Sequence, residues 1–191
     1  NWLQPETLWV MPRPVLLIRA SGNQADAKAL AELGIDSVSE PYIQISPADG
    51  PGPAKGLLEQ LPKADWLAVT SVNAISNWIA LVGEEVLGEA IKLAQAAGLR
   101  FAAIGAASAK ALTELGVKEV CVPEAAYAKD LANLVLEIQK GLQQPNPKIL
   151  IPCGNITLDT LPKILIHAGW DVVQEIVYQT TPVFTTPRTV E

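Results

Sequence analysis

Four short segments combine small residues with hydroxyl or amide side chains directly after an apolar run. They are Ser21-Gly22-Asn23, Thr70-Ser71-Val72-Asn73, Gly105-Ala106-Ala107-Ser108 and Cys153-Gly154-Asn155. Each precedes a run with helical spacing, so its polar residues lie where a strand ends and a helix begins. Backbone N–H groups and positive helix ends at such positions attract carboxylates or phosphates. The pattern predicts a polyanion site, although each polar residue alone also suits a plain helix N-cap.

Two further polar residues interrupt apolar strands. Tyr178 lies in the run VVQEIVY, where a phenol could donate a proton, anchor a substrate by a hydrogen bond, or simply pack between lobes. Arg19 ends the run VLLIRA, where it could bind a carboxylate or pair with an acidic residue at the surface. The sequence leaves these alternatives open for both residues.

The bulk composition of the 191 residues narrows the classes of function. A net charge of −6 disfavours nucleic acid and anionic membranes as partners, because both are bound through basic surfaces. No apolar run approaches the roughly 20 residues that span a bilayer, and a signal-peptide pattern is missing, so we expect a cytoplasmic protein. The single histidine, His167, and the distant cysteines, Cys121 and Cys153, give no metal-ligand spacing. No segment spells a nucleotide-binding fingerprint, which makes a Rossmann-like enzyme the weaker interpretation.

Periodicity predicts a regular alternation of short apolar strands and amphipathic helices. Strands are predicted at 15–20, 66–70, 101–104, 119–122, 149–152 and 172–178. Helices are predicted at 24–33, 73–82, 84–97, 107–115, 129–141 and 157–168. Strands without polar alternation are typical of a parallel sheet covered on both faces, so the predicted fold class is α/β and doubly wound.

An internal repeat links the two ends of the chain. Gly34 to Pro47 (GIDSVSEPYIQISP) and Gly169 to Pro182 (GWDVVQEIVYQTTP) share Gly, Asp, Val, Glu, Gln and Pro at matching positions. Each copy follows a predicted helix and, before that helix, an apolar strand that ends in Gly-Asn. The repeat indicates two related lobes with the twin strands passing between them. Similarity between any two strand–helix–strand units would explain the Gly and Val matches, but not Gln and Pro.

These observations predict four parts. Residues 1–14 are an extension or tag, and 15–47 form the first strand–helix–strand unit of lobe 1 with a linker strand. Residues 48–175 form lobe 2 with five strands, beginning at the Gly- and Pro-rich stretch 48–56, which we interpret as a lobe boundary. Residues 176–191 are the return strand and the start of the second part of lobe 1. Because 15–47 offers only two strands and one helix, we expect lobe 1 to be incomplete in this chain and the C-terminus to be truncated.

The order and spacing of several blocks resemble the uroporphyrinogen-III synthase family. The resemblance runs from about Val15 to Pro182. The blocks are Leu17-Ile18-Arg19, the turn from Trp66 to Ala74, Ala103-Ile104-Gly105 with Ser108-Ala109, Val122-Pro123, Ile149 to Pro152 with Gly154, and Val177-Tyr178-Gln179-Thr180. Each block is weak alone, and the unbroken order carries the resemblance.

The resemblance implies two α/β lobes joined by a two-stranded ladder and a cofactor-free lyase of tetrapyrrole biosynthesis. Its substrate would be hydroxymethylbilane, a linear tetrapyrrole with acetate and propionate groups on every ring. Loss of water, attack through a spiro intermediate and reclosure would give uroporphyrinogen III with the last ring inverted. The expected protein is a monomer with a small-molecule substrate as its partner and no nucleic acid or membrane. The alternative is a non-catalytic sensor or regulatory domain of the same fold that binds a polyanion.

The resemblance also assigns roles to individual residues. Tyr178 matches the family tyrosine proposed to assist hydroxyl departure, and Ser71 matches the serine of the strand-to-helix turn. Ser108 stands where threonine is usual, and Cys153 stands where arginine or lysine is common, so a charge contact there is in doubt. The second half of lobe 1, with its own Thr-Ser turn, has no counterpart. The predicted catalytic residue is Tyr178, and the predicted substrate-binding residues are Arg19, Thr70, Ser71, Asn73, Gly105, Ser108, Gly154 and Asn155.

Overall fold

The computed structural model describes residues 13–142 and 145–183. The predicted extension at 1–14 lies almost wholly outside these residues, as does the tail from 184 to 191. The contacts between Cα atoms divide the chain into two compact units. Unit 1 comprises residues 1–44 and 181–191, and unit 2 comprises residues 45–180.

Unit 1 contains a two-stranded parallel sheet and one helix. Strand β1 is Val15–Leu17, helix α1 is Asn23–Glu32 and strand β2 is Ser37–Ser39, with Leu16 opposite Val38. Gly34 ends the segment after α1 with φ of 71°, a left-handed conformation that costs glycine little. The predicted strand at 15–20 and helix at 24–33 are therefore confirmed in type, with a shorter strand.

Unit 2 is an α/β sheet with helices on both faces. Its helices are α2 Gly52–Gln60, α3 Val72–Val82, α4 Glu84–Ala96, α5 Ala106–Glu114, α6 Ala128–Lys140 and α7 Thr160–His167. Its strands are β4 Trp66–Val69, β5 Arg100–Ala103 and β6 Lys148–Gly154, together with β3 Ile43–Pro47 and β7 Asp171–Pro182, which cross the unit boundary. The sheet order is β3-β7-β6-β4-β5, and β4 is parallel to both β5 and β6, as β6 is to β7.

Alternate residues of each central strand enter two separate cores. In β4, Leu67 and Val69 pack into one core with Trp78 of α3, while Trp66 and Ala68 pack into the other, which α6 and α7 cover. All four β4 side chains are buried. Burial of a large apolar side chain stabilises a fold by about 1.5–3 kcal/mol, so these two layers explain why the strands carry almost no polar residues.

The twin segments provide the two strands that cross between the units. Strand β3 comes from the first twin and β7 from the second, and the two are neighbours in the sheet. The backbone N–H of Ala48 donates to the carbonyl of Val177 at 3.1 Å. Gln179 donates a side-chain hydrogen bond to Asp49 at 3.1 Å. The predicted pair of linking strands is confirmed, although the first twin divides into β2 and β3.

One expectation about local structure was wrong. The stretch 119–122 forms only an isolated bridge from Cys121 to Ala102, because Pro123 has no N–H with which to continue the ladder. The fifth strand of the sheet is β3 instead. The stretch 48–56, which we interpreted as a lobe boundary, contains the start of α2 at Gly52. Pro53 is tolerated there because the first-turn N–H groups of a helix have no intrahelical partner.

Candidate functional site

A cavity of about 230 Å³ opens in unit 2 where parallel strands end. It lies beside the residues that follow β4 and β5, the loop after β6, and the inward side chains of β7. Ligands of open α/β sheets bind at this carboxyl edge, because the loops and helix N-termini converge there. The lining residues are Thr70, Ser71, Ile104, Ala128, Ile151, Ile156, Thr157, Leu158, Leu161, Pro162, Gln174 and Tyr178.

The turn after β4 contributes two hydroxyl groups to the cavity. Ser71 has extended backbone angles and caps α3, since its Oγ accepts a hydrogen bond from the N–H of Asn73 at 3.2 Å. Thr70 precedes it at the end of the strand. Ser71 is therefore at once the N-cap and a wall of the cavity, so the two interpretations of this residue are compatible.

Tyr178 enters the cavity from β7 and packs on the backbone of Gly154. The ladder between β6 and β7 shifts register between Cys153 and Gly154, so that Gly154 lies opposite Tyr178. A Cβ atom at Gly154 would lie 2.5 Å from the Tyr178 ring atoms Cε2 and Cζ and 2.9 Å from its Oη. A bulge of this kind redirects a side chain, and here the redirected side chain is the phenol.

Asn155 uses its side chain to hold β7. Its Oδ1 accepts from the backbone N–H of Thr180 at 2.8 Å, and its Nδ2 donates to the Thr180 carbonyl at 3.3 Å. Its own backbone N–H donates to the carbonyl of Tyr178 at 3.2 Å. These three bonds extend the ladder beyond the end of β6.

Six of the nine predicted site residues do not line this cavity. Asn73 contributes backbone groups to the start of α3, and Gly105 is the N-cap of α5 beside the lining residue Ile104. Ser108 is only 4% exposed within α5. Gly154 contacts the ring of Tyr178, and neither Gly154 nor Asn155 is among the lining residues.

Arg19 lies in unit 1 and pairs with a nearby acid. Its guanidinium contacts the carboxylate of Asp26 in an exposed ion pair. Of the two alternatives left open by the sequence, this structure contains the surface pair. Carboxylate binding by Arg19 stays a prediction.

The sequence did not single out several lining residues. Gln174 lies four residues before Tyr178 in β7, but the bulge between them interrupts the alternation of the strand. The spacing in the run VVQEIVY therefore could not predict that the two side chains share the cavity. Ile156, Thr157 and Leu158 come from the loop after β6, where α7 starts at Thr160 rather than at 157 as predicted, with Asp159 as N-cap.

The electrostatics of the cavity come from helix ends rather than from charged side chains. Its twelve lining residues include no lysine, arginine, aspartate or glutamate. The first residue of α6, Ala128, and the second of α7, Leu161, are both in the lining, and neither helix has a side-chain cap at its N-terminus. The N–H groups at these helix ends carry partial positive charge that favours carboxylates or phosphates, and the carboxylates of Asp130 in α6 and Asp159 before α7 offset part of it.

Comparison with known proteins identifies the family of this chain. A family model described as HEM4, uroporphyrinogen-III synthase HemD, matches residues 24–191. This chain belongs to the uroporphyrinogen-III synthase family. The resemblance noted in the sequence is therefore confirmed.

Solved structures of uroporphyrinogen III synthases share the fold. A selenomethionine mutant of the Thermus thermophilus synthase has a TM-score of 0.63 and 21% identity, covering 88% of this chain and 64% of the other. The synthase from Helicobacter pylori has a TM-score of 0.54 and 16% identity, covering 92% of this chain and 65% of the other. The chain thus spans slightly less than two thirds of the length of these relatives.

The described part of the chain has neither a metal-ligand cluster nor a membrane-spanning helix. Across residues 13–142 and 145–183, no group of three or more His, Cys, Asp or Glu side chains is placed to hold a metal ion. Within the same residues, no helix is long and apolar enough to cross a membrane.

Proposed function

We propose that the protein cyclises hydroxymethylbilane to uroporphyrinogen III, with inversion of the last ring and loss of water, in cytoplasmic tetrapyrrole biosynthesis. The observation that carries the proposal is the position of Tyr178. Its phenol lines a cavity at the carboxyl edge of the sheet whose lining contains no charged side chain. The N-termini of α6 and α7, which have no side-chain cap, lie beside it. An acid and a set of anion-binding amides are what a reaction on a poly-carboxylate substrate requires.

The chemistry assigned to Tyr178 is general-acid catalysis. Its Oη–H donates a proton to the hydroxyl group of the bilane, which leaves as water and generates an azafulvene cation. The substituted carbon of the last ring attacks this cation and gives a spiro intermediate, which fragments and closes at the free carbon of the same ring. That carbon then releases its proton, which restores the phenol. The apolar walls, among them Ile151 and Leu161, limit capture of the cation by water.

The acetate and propionate groups are assigned to backbone amides. Helix N-termini contribute about 0.3–1 kcal/mol each to the binding of an anion, and up to about 2 kcal/mol when partly buried. Several converging ends bind a polyanion without any lysine or arginine in the lining. This arrangement is compatible with the net charge of −6.

The deciding experiment is the isomer ratio of the uroporphyrin formed from fresh hydroxymethylbilane. Without a catalyst the bilane closes to the symmetric type I product, so we expect dominant type III product with the protein. Tyr178→Phe removes the proton donor but keeps the ring, and we expect it to lower turnover by about 10²-fold or more. Only type I product from the folded full-length protein would exclude the synthase activity and favour a polyanion-binding domain. Full activity of Tyr178→Phe would exclude the acid role alone.

A further inference from the structure

Gly154 is a glycine because of Tyr178 and not because of its own backbone. The glycines with positive φ are Gly22, Gly34, Gly50, Gly83, Gly98, Gly116 and Gly169, and Gly154 is not among them. Its backbone would therefore accept any L-residue. The obstacle to a side chain is the phenol ring, which lies at 2.5 Å from where a Cβ would be.

The ring is also held from the strand side. Asn155 makes three hydrogen bonds of 2.8–3.3 Å to the backbone of β7. Its backbone N–H donates to the Tyr178 carbonyl, and its side-chain amide pairs with both the N–H and the carbonyl of Thr180. The Asn155 side chain is exposed, so these bonds and not burial keep it in place. Gly154 leaves the space for the ring, and Asn155 fixes the backbone on either side of it.

We infer that Gly154 and Asn155 are positioning residues that direct the Tyr178 hydroxyl into the cavity. The consequence for catalysis rests on the proposed function, whereas the packing does not. A methyl group at position 154 forces the ring away from β6, and loss of the Asn155 amide releases β7 at Thr180. Either change moves the phenol oxygen, while the tyrosine itself is retained and the other cavity walls and the helix ends stay in place. A displacement of about 1 Å in a catalytic group is enough to lower turnover by about 10²-fold.

The packing is measured without any activity by ¹⁹F NMR of protein labelled with 3-fluorotyrosine. The chain has three tyrosines, and Tyr178→Phe assigns the resonance of Tyr178. We expect Gly154→Ala to shift that resonance and to leave those of Tyr42 and Tyr127 unchanged. The matched control is Gly56→Ala, because a Cβ at Gly56 in α2 meets nothing within 4 Å. We expect no shift from it.

The catalytic consequence is measured by steady-state kinetics and a double-mutant cycle. We expect Gly154→Ala to lower kcat toward the value of Tyr178→Phe and to leave KM within about twofold, because carboxylate binding is not altered. Adding Gly154→Ala to Tyr178→Phe should lower kcat by less than about twofold, because the hydroxyl that it displaces is already gone. A merely structural defect would instead lower activity equally in both backgrounds.

Asn155 provides a second variant for the case in which Gly154→Ala does not fold. We expect Asn155→Ala to shift the Tyr178 resonance and lower kcat. Asn155→Asp keeps the acceptor for the Thr180 N–H but cannot donate to its carbonyl, so its effects should be smaller.

Three results separate this inference from the proposed function. An unmoved Tyr178 resonance in Gly154→Ala overturns the inference whatever the activity. A moved resonance with full activity also overturns it and leaves the synthase function standing. If the wild-type protein makes no type III product, the proposed function fails, and the NMR shifts alone decide whether Gly154 and Asn155 position the ring.

Discussion

Burial sets the chemistry of a single side chain at Cys153. This thiol is 3% exposed in β6, and its Sγ donates to the backbone carbonyl of Glu175 at 3.4 Å. Burial raises its pKa above the ordinary 9.0, a hydrogen bond from Gln174 opposes the shift, and the charge of Glu175 adds to it. The thiol is therefore protonated and a poor nucleophile at neutral pH, which fits a packing role.

The raised pKa of Cys153 predicts a loss of stability at alkaline pH. The folded state binds the thiol proton more tightly than the unfolded chain, so this contribution is complete below the ordinary pKa and is lost as pH rises through the folded value. We expect the urea midpoint to fall less between about pH 8 and about pH 10.5 in Cys153→Ala than in the wild type. Equal falls in the two proteins would contradict the prediction. The fall in the urea midpoint is measured within each protein, so a loss of stability that removal of the sulfur atom causes at every pH does not affect the comparison.

The sequence could predict individual lining residues only where the position of a polar residue in or directly after a strand also fixes the direction of its side chain. Thr70 and Ser71 lie directly at the end of β4, and Tyr178 is an outlier in an apolar strand, so all three line the cavity. Ser108 is the third residue of α5, and its side chain is buried in the protein. The side chain of Asn155 bonds to the backbone of Thr180 in β7, and the sequence does not predict that β7 lies beside Asn155.

At the scale of elements, α3 depends on its N-cap. Ser71→Ala removes the acceptor for the N–H of Asn73, and we expect it to lower the free energy of unfolding by about 1 kcal/mol. Ser76→Ala is the matched control, because the Ser76 hydroxyl is exposed and donates only to the Val72 carbonyl inside α3. It should change stability by less than about 0.5 kcal/mol. Equal costs for the two variants in urea unfolding would show that the cap does not matter.

Helix and strand types were predictable wherever an apolar period ran for several turns, as in α3, α4 and α6. Helix α2 was not, because Pro51, Gly52 and Pro53 occupy its start and hide the buried residues Ala54 and Leu57 that follow. Composition alone marks such a stretch as a loop, whereas proline is compatible with a first turn. At Cys121 the sequence predicted a strand where the structure has only an isolated bridge. The apolar stretch is followed by Pro123, which has no N–H for the ladder, so it pairs at only one residue.

At the scale of the whole molecule, the β/α alternation predicted a parallel sheet but not its strand order. The order β3-β7-β6-β4-β5 places the twin strands side by side at one edge, and this depends on pairing between residues more than 120 positions apart. Such pairing leaves no local signal in the sequence. The repeat was the only feature that pointed to it.

The two units differ in how much apolar surface they bury. Both clusters of buried apolar side chains lie within unit 2, and among the described residues of unit 1 only Asn23 is buried. Local opening is easiest where few apolar contacts resist it. The strand pair β1 and β2 should therefore open far more often than the central strands β4 and β6.

Hydrogen–deuterium exchange of this chain tests that difference. We expect the amides of Trp66–Val69 and of the central part of β6 to exchange at least about 100-fold more slowly, after correction for intrinsic rates, than those of Val15–Leu17 and Ser37–Ser39. Strand β4 is paired on both sides, whereas β1 and β2 are paired on one side only, so the comparison uses only amides that donate within a ladder. A difference between those amides reflects the packing that covers the strands. Equal protection would mean that unit 1 opens only when unit 2 does, and that the stability of the core is shared across the β3 and β7 strands.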